Sequence, residues 1–259
     1  MWDPGAERMS ADERAGLQAR RLDDLLGRLA ERSPLYRERL AGAGVGPGAR
    51  VGLDGLAGLP FTTKQDLWDG YPWGLLTVPR SQVVRVHGSS GTGGRPTLVA
   101  YSRTDLDIWA QVCARALGCA GAGPGTVTQV AYGYGLFTGG LGLHGGAELM
   151  GCTVIPASSG QSSRQVLLLR DLGAEVLCCT PSYAVRLGEV LGEEGISKHE
   201  LRLRAGIFGA EPWSEAMRAQ IESLLPLKAL DIYGLSEVIG PGVSCECIEG
   251  QAGLHVSED

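Results

Sequence analysis

The sequence predicts an α/β protein in which parallel-rich β-sheets are flanked by helices. Three observations carry this. From residue 83 onward, short strand-like runs alternate with capped helical stretches, the pattern of strands joined by helical crossovers. Glycine-rich or polar segments follow four of those runs, where ligands bind at the carboxyl ends of a parallel sheet. Hydrophobic residues make up 44% of the 259 residues, enough for a sizeable core.

Taken in order, Ser10-Ala11-Asp12-Glu13 is a capping-box pattern. Leu17, Leu22, Leu25, Leu26 and Leu29 follow at helical spacing with charges between them. They predict a helix over 11–31 with one buried face. A second short helix covers 34–41. Residues 42–60 are glycine-rich and aperiodic, a surface connection. Thr62-Thr63-Lys64-Gln65 caps a brief helix to residue 69. Strands follow at 83–87 and 97–101, and Ser102-Arg103-Thr104-Asp105 caps a helix to about residue 117. Beyond it come strand 126–132, helix 139–150, strand 152–155, helix 164–172, strand 175–179, helix 181–191, strand 205–208, helix 214–224 and strand 229–233. Gly173 stands where a helix-ending glycine belongs. Thr180-Pro181 supplies an N-cap with proline at the first helical position. No internal repeat is present. The expected division is a helical segment and connection over 1–80 and an α/β core over 81–259.

A net charge of −6 argues against a partner that is nucleic acid or an anionic membrane, so any anion site is local. No run approaches the roughly 18 apolar residues of a membrane span, and Met1-Trp2-Asp3-Pro4-Gly5 is unlike a signal peptide. Seven cysteines in a chain of this length, several inside apolar runs, read as reduced and cytoplasmic rather than as a disulfide framework. Cys178 and Cys179 belong to the core. Cys113, Cys119 and Cys152 give no catalytic signal. His87 and His144 read as structural or pocket-lining. Forty glycines in separate clusters without a period exclude collagen-like and linker readings.

The most concentrated stretch is Ser89-Ser90-Gly91-Thr92-Gly93-Gly94-Arg95-Pro96, between two strands. Its glycines let the backbone come close to a ligand, successive N–H groups form a nest for an anion, and Arg95 matches phosphate oxygens. It is not a P-loop, since no Gly-Lys-Ser or Gly-Lys-Thr closes it. These residues alone leave a hairpin tip and an anion cradle both open. In Tyr132-Gly133-Tyr134-Gly135-Leu136-Phe137-Thr138-Gly139-Gly140, aromatics interleave with glycines. That suits a planar ligand near the backbone and equally a glycine-packed helix start. Gly133 and Gly135 lack the third glycine of a dinucleotide fingerprint. Phe208-Gly209-Ala210-Glu211-Pro212-Trp213 and Asp231-Ile232-Tyr233-Gly234-Leu235-Ser236-Glu237 complete the set. Glu211 and Glu237 each lie just past a strand, where a lone carboxylate is often a helix-terminal charge. Two of them beside a phosphate-type loop point to a magnesium–nucleotide site.

These segments resemble those of the phenylacetate–coenzyme A ligases, a branch of the adenylate-forming superfamily. The likeness runs from about residue 59 to 259. It is carried by Leu59-Pro60-Phe61-Thr62-Thr63-Lys64, Ser89-Ser90-Gly91-Thr92, Tyr132-Gly133-Tyr134-Gly135-Leu136-Phe137, Thr180-Pro181-Ser182-Tyr183, Gly209-Ala210-Glu211-Pro212-Trp213 and Tyr233-Gly234-Leu235-Ser236-Glu237. The resemblance implies the large N-terminal domain of such enzymes. It also implies ATP-dependent activation of an aryl or arylacetic acid to an acyl-adenylate, with thioester formation on coenzyme A or a carrier-protein phosphopantetheine. On that footing Ser89, Ser90, Gly91, Thr92, Gly93 and Gly94 hold phosphates with Arg95. Gly209, Ala210, Glu211, Pro212, Asp231, Tyr233, Gly234 and Ser236 border the nucleotide, and Glu237 contacts magnesium. Tyr132, Tyr134, Phe137, Gly139 and Gly209 border the acid.

Two departures stand out. The family loop reads Ser-Ser-Gly-Thr-Thr-Gly-Lys-Pro; here Gly93 replaces a threonine and Arg95 the lysine. Family members also continue past the position of Asp259, into a ribose-binding Asp and a lid domain with a lysine. The last residues resemble the middle of a family strand. The expectation is therefore a truncated chain that binds ligands better than it turns them over, with a homodimer or a separate C-terminal half as partner chains. A non-catalytic binding module that kept the fold is the alternative. Cys245-Glu246-Cys247 with His255 offers thiolate and imidazole ligands of the kind zinc takes, against the alternative of thiols without a metal.

Overall fold

The structure, a computed structural model, describes residues 1–89 and 96–259. It divides into a helical unit, residues 4–103 with 258–259, and a sheet unit, residues 104–257 with 1–3. The boundary falls later in the chain than the expected residue 80; among the described residues the hairpin of the first two strands pairs with no other strand.

The helical unit begins with α1 (Pro4–Glu7) and α2 (Ala11–Arg32). Ser10 and Glu13 form the reciprocal capping box the sequence predicts, satisfying two otherwise orphaned N–H groups. α3 (Pro34–Gly42) starts on its proline and α4 (Lys64–Asp69) on a second capping box, Thr63 with Asp66. Leu26, Ala30 and Leu40 are buried, with Leu22, Leu29, Tyr36, Val45, Val51 and Leu59 packed on them. A polar clamp supplements this small core. The Asp66 carboxylate accepts both Arg39 terminal nitrogens at 2.9 and 2.5 Å and the Thr63 N–H at 2.6 Å. The Arg39 guanidinium, and then the Thr63 donors, hold the Asp66 carboxyl well below the usual carboxylate range. β1 (Val83–Gly88) and β2 (Leu98–Ser102) pair antiparallel, with His87 edge-on to Tyr101 at 5.5 Å.

The sheet unit runs α5 (Arg103–Cys119), β3 (Val127–Val130), α6 (Gly139–Met150), β4 (Thr153–Ile155), α7 (Ser162–Asp171), β5 (Val176–Cys179), α8 (Pro181–Glu193), β6 (Ala205–Gly209), α9 (Glu215–Leu224), β7 (Lys228–Leu235), β8 (Gly240–Cys247) and β9 (Gly250–Val256). Among the described residues these strands form one seven-stranded sheet, in the order β4-β3-β5-β6-β7-β8-β9. The first five are parallel, and β8 and β9 add antiparallel. β8 was not among the strands read from the sequence, which ended at residue 233 before the terminal stretch.

Every residue of β5 and β6 is buried, as expected for strands covered on both faces. Their side chains alternate between two cores. Val176, Cys178, Ala205 and Ile207 pack with Leu117 of α5 and Leu143 and Ala147 of α6. Leu177, Cys179 and Phe208 pack with Leu169 of α7, Leu187 and Leu191 of α8 and Ile221 of α9. Burying each large side chain contributes about 1.5–3 kcal/mol. Gly146 lets α6 approach α5, because a Cβ there would run into Cys113 and the Ala114 backbone. Among the described residues no helix is long and apolar enough to cross a membrane.

Candidate functional site

The strand order places a crevice. From β3 the chain crosses outward to β4, then returns to β5 on the other side of β3 and proceeds to β6 and β7. Connections leaving β3 and β5 therefore diverge, and such a switch point opens a gap at the strands' carboxyl ends. A cavity of about 370 Å³ lies there, within the size range of small-molecule sites. Tyr132, Gly133 and Phe137 follow β3, Ser159 and Gly160 follow β4, and Thr180, Ser182, Tyr183 and Arg186 follow β5. Tyr132 and Phe137, expected from the sequence to border the acid, both line this open cavity. Tyr132 is 5% exposed, and burial pushes its phenol well above the ordinary value. The Gly209 backbone hydrogen-bonds to it, tying the cavity to the end of β6.

Tyr134 and Gly139 do not line this cavity. Tyr134 is half-buried, and its hydroxyl lies 3.0 Å from His144 Nδ1, whose Nε2 is 3.0 Å from Glu148. Gly139 is buried beneath the Phe137 ring. The wall at 158–161 and the α8 residues Ser182, Tyr183 and Arg186 carried no assigned role in the sequence reading. The available signal was the strand-end position of Ser158-Ser159-Gly160 and the quoted Thr180-Pro181-Ser182-Tyr183 motif. In that wall Ser158 and Gln161 have φ of 62° and 51°, a left-handed conformation costing on the order of 1–2 kcal/mol per residue with a Cβ.

The next two strand ends carry the other predicted segments. Gly209 ends β6 against β7, and a Cβ there would strike the Ile232 carbonyl oxygen. Ala210 follows with φ 71°, a strained turn of the kind found at ligand clamps. Glu211 accepts the Ser182 N–H at 2.8 Å, so one of its oxygens caps the first turn of α8. Pro212 is exposed. Trp213 Nε1 donates to Asp231 at 3.0 Å, and Arg218 stacks 4.6 Å above the indole. Arg218 also forms a buried bidentate pair with Glu246, at 2.9 and 3.0 Å, and Glu246 accepts the Asp231 N–H at 2.8 Å. Asp231, read from sequence as a nucleotide contact, thus commits one oxygen to holding the 209–213 segment. Tyr233 is 54% exposed on β7. Gly234 is closed in by the Gly240 carbonyl, Ser236 is buried, and Glu237 is exposed.

Ser89 closes the base of the β1–β2 hairpin: its N–H donates to the Thr97 carbonyl at 3.0 Å, and its Oγ accepts the Thr97 N–H at 3.4 Å. Ser90, Gly91, Thr92, Gly93, Gly94 and Arg95 lie outside the described residues.

The zinc expectation is corrected. Cys245 is buried in the core with its thiol toward the Ala116 carbonyl. Burial pushes that thiol well up, opposing the thiolate zinc requires. A register shift between Cys245 and Cys247 removes the common face that alternate strand residues share. Cys247 turns to the Gly250 carbonyl, and His255 is exposed. Among the described residues no three His, Cys, Asp or Glu side chains are grouped to hold a metal.

No family model matches the chain. A curated phenylacetate–coenzyme A ligase of Thermus thermophilus is 52% identical over 259 residues, the whole chain and 58% of that protein. The Escherichia coli counterpart is 50% identical over 254 residues, covering 98% of the chain and 58% of that protein. The chain resembles these phenylacetate–coenzyme A ligases along its whole length. It spans somewhat over half the length of these curated relatives. Among solved structures, an open conformation of 2-hydroxyisobutyryl-CoA ligase in complex with 2-HIB-AMP and CoA matches with a TM-score of 0.92 at 29% identity. That match covers 100% of this chain and 62% of the other. The chain has the α/β architecture of adenylate-forming ligases.

Proposed function

We propose that this chain carries the acid- and nucleotide-binding portion of a ligase that activates an aryl or arylacetic acid with ATP. The observation supporting this is the cavity at the β3–β5 switch point, bordered by Tyr132 and Phe137 and tied through Tyr132 to Gly209. A substrate carboxylate emerging from the cavity attacks the α-phosphate of ATP. An O–P bond forms, the bond to the β-phosphate oxygen breaks, and pyrophosphate leaves with the electron pair. In the whole protein a thiol, of coenzyme A or a carrier protein, then attacks the acyl carbonyl and AMP departs.

Little covalent chemistry falls to the protein, so positioning and charge stabilisation supply the rate. Tyr132 and Phe137 seat the ring. The 209–212 segment and Tyr233, with Gly234 and Ser236 behind it, flank the adenine. The loop at 89–96 takes the β- and γ-phosphates, with Arg95 countering their charge. Magnesium, when bound, neutralises phosphate charge. It commonly takes one or two carboxylates and completes its shell with phosphate oxygens and water, and the exposed, hard oxygens of Glu237 fit that role. The likeness to a ligase holding an acyl-AMP and CoA supports the same order of ligands.

Pyrophosphate exchange with a panel of aryl acids tests the reading. Exchange with phenylacetate above that with acetate is the expected result. Binding of ATP or an acyl-adenylate without exchange supports a non-catalytic module, and neither exchange nor binding overturns the reading.

A further inference from the structure

The cavity wall after β4 is held from behind. Ser158, Gly160 and Gln161 all have left-handed φ, at 62°, 80° and 51°, and two of them carry side chains that disfavour it. Such a turn persists only where its surroundings over-determine it. Here the main support is Gln165, fully buried on α7. Its Nε2 donates to the Ser158 carbonyl at 2.7 Å and to the Gly160 carbonyl at 2.9 Å. Its Oε1 accepts the Gln129 Nε2 at 3.1 Å. Both amide protons are thus committed to the turn. Flipping the amide would set oxygen against two carbonyls, so the orientation is fixed by the partners. Tyr183 adds a second donor to the Gly160 carbonyl at 3.0 Å, and the Ser158 N–H donates to the Val130 carbonyl at 3.1 Å. Ser159 and Gly160 line the cavity, whereas Gln129 and Gln165 do not.

We propose that Gln165, oriented by Gln129, is a positioning residue that sets the shape of the acid cavity by holding residues 158–161 in their left-handed turn. The inference rests on the reading of that cavity as the acid site. Without the amide the turn relaxes toward ordinary backbone conformations and moves Ser159 and Gly160. The nucleotide segments after β6 and β7 make no hydrogen bond with Gln165 or Gln129 among the described residues. Selectivity among acids therefore depends on a residue that touches none of them.

The test is titration calorimetry of the 259-residue chain with phenylacetate and, separately, with AMP. Gln165→Glu keeps the shape and removes both donors. It is expected to weaken phenylacetate about tenfold while AMP binding stays within about twofold. Gln129→Met leaves Gln165 in place, frees its oxygen, and guards against a Gln165 variant that fails to fold. It is expected to weaken phenylacetate about threefold, again sparing AMP. A purely structural role would lower the melting temperature and weaken both ligands together, or neither, and either outcome overturns the proposal. If the unmodified chain binds AMP but no aryl acid, the acid reading of the cavity fails and the positioning role falls with it. If the unmodified chain binds phenylacetate and both variants match it, only the positioning role fails.

Discussion

In the sheet unit, β5 and β6 present no exposed residue, and each alternates its side chains between two cores. In the helical unit the buried cluster among the described residues of the helices is Leu26, Ala30 and Leu40, and much of the order comes from capping boxes and the Arg39–Asp66 clamp. The difference teaches where precision is stored. The sheet unit can support left-handed residues at 158, 161 and 210 because packed strands fix the points from which those turns leave. The helical unit instead fixes its chain with charge and capping hydrogen bonds, which respond to pH and to single polar substitutions.

Substitutions in each unit sharpen this contrast. Phe208→Ala, in the middle of the sheet, is expected to cost about 3–5 kcal/mol of stability, read as a shift in the denaturation midpoint. Leu40→Ala, in the helical unit, should fall near the low end of the large-to-small range, about 2–3 kcal/mol, because fewer neighbours are fixed around it. Equal costs for the two would break the comparison. Ser10→Ala, which removes a cap on α2, should cost about 1 kcal/mol, detectable as earlier fraying of α2 by hydrogen exchange.

The clamp predicts a pH signature confined to the helical unit. Asp66 has its carboxyl depressed in the folded state. Its contribution is therefore fully present above the ordinary value of 3.8 and is lost as pH falls below it toward the folded value. The stability difference between the native chain and Asp66→Asn should be large at neutral pH and shrink on acidification. A difference that grows as pH falls would contradict the clamp.

Much of this was legible in the residues. The caps at Ser10, Thr63 and Thr180 are local chemistry, and each starts its helix as read. Gly173 closes α7 with φ 62°. Strand–helix alternation gave the parallel order because covered strands have few alternatives. Non-local features were less legible. The independence of the β1–β2 hairpin depends on pairing, not on its own residues. β8 carries glycine, proline and polar positions and becomes a strand because β7 offers it an edge. The cavity wall depends on Gln129 and Gln165, whose polarity marks no function until the fold brings them behind the turn. Cys245, Cys247 and His255 had a metal-like spacing, and a register shift together with burial of Cys245 undid it.

The central claim is that ligands are held at the carboxyl ends of β3, β5, β6 and β7, with the acid in the switch-point cavity. Hydrogen–deuterium exchange tests this most directly, with and without a phenylacetyl-adenylate analogue in which a sulfamate replaces the phosphate. The account predicts slowed exchange at 131–137, 158–161, 180–186 and 209–213 together. Binding of the analogue with protection at 209–213 and none at 131–137, 158–161 or 180–186 would contradict it.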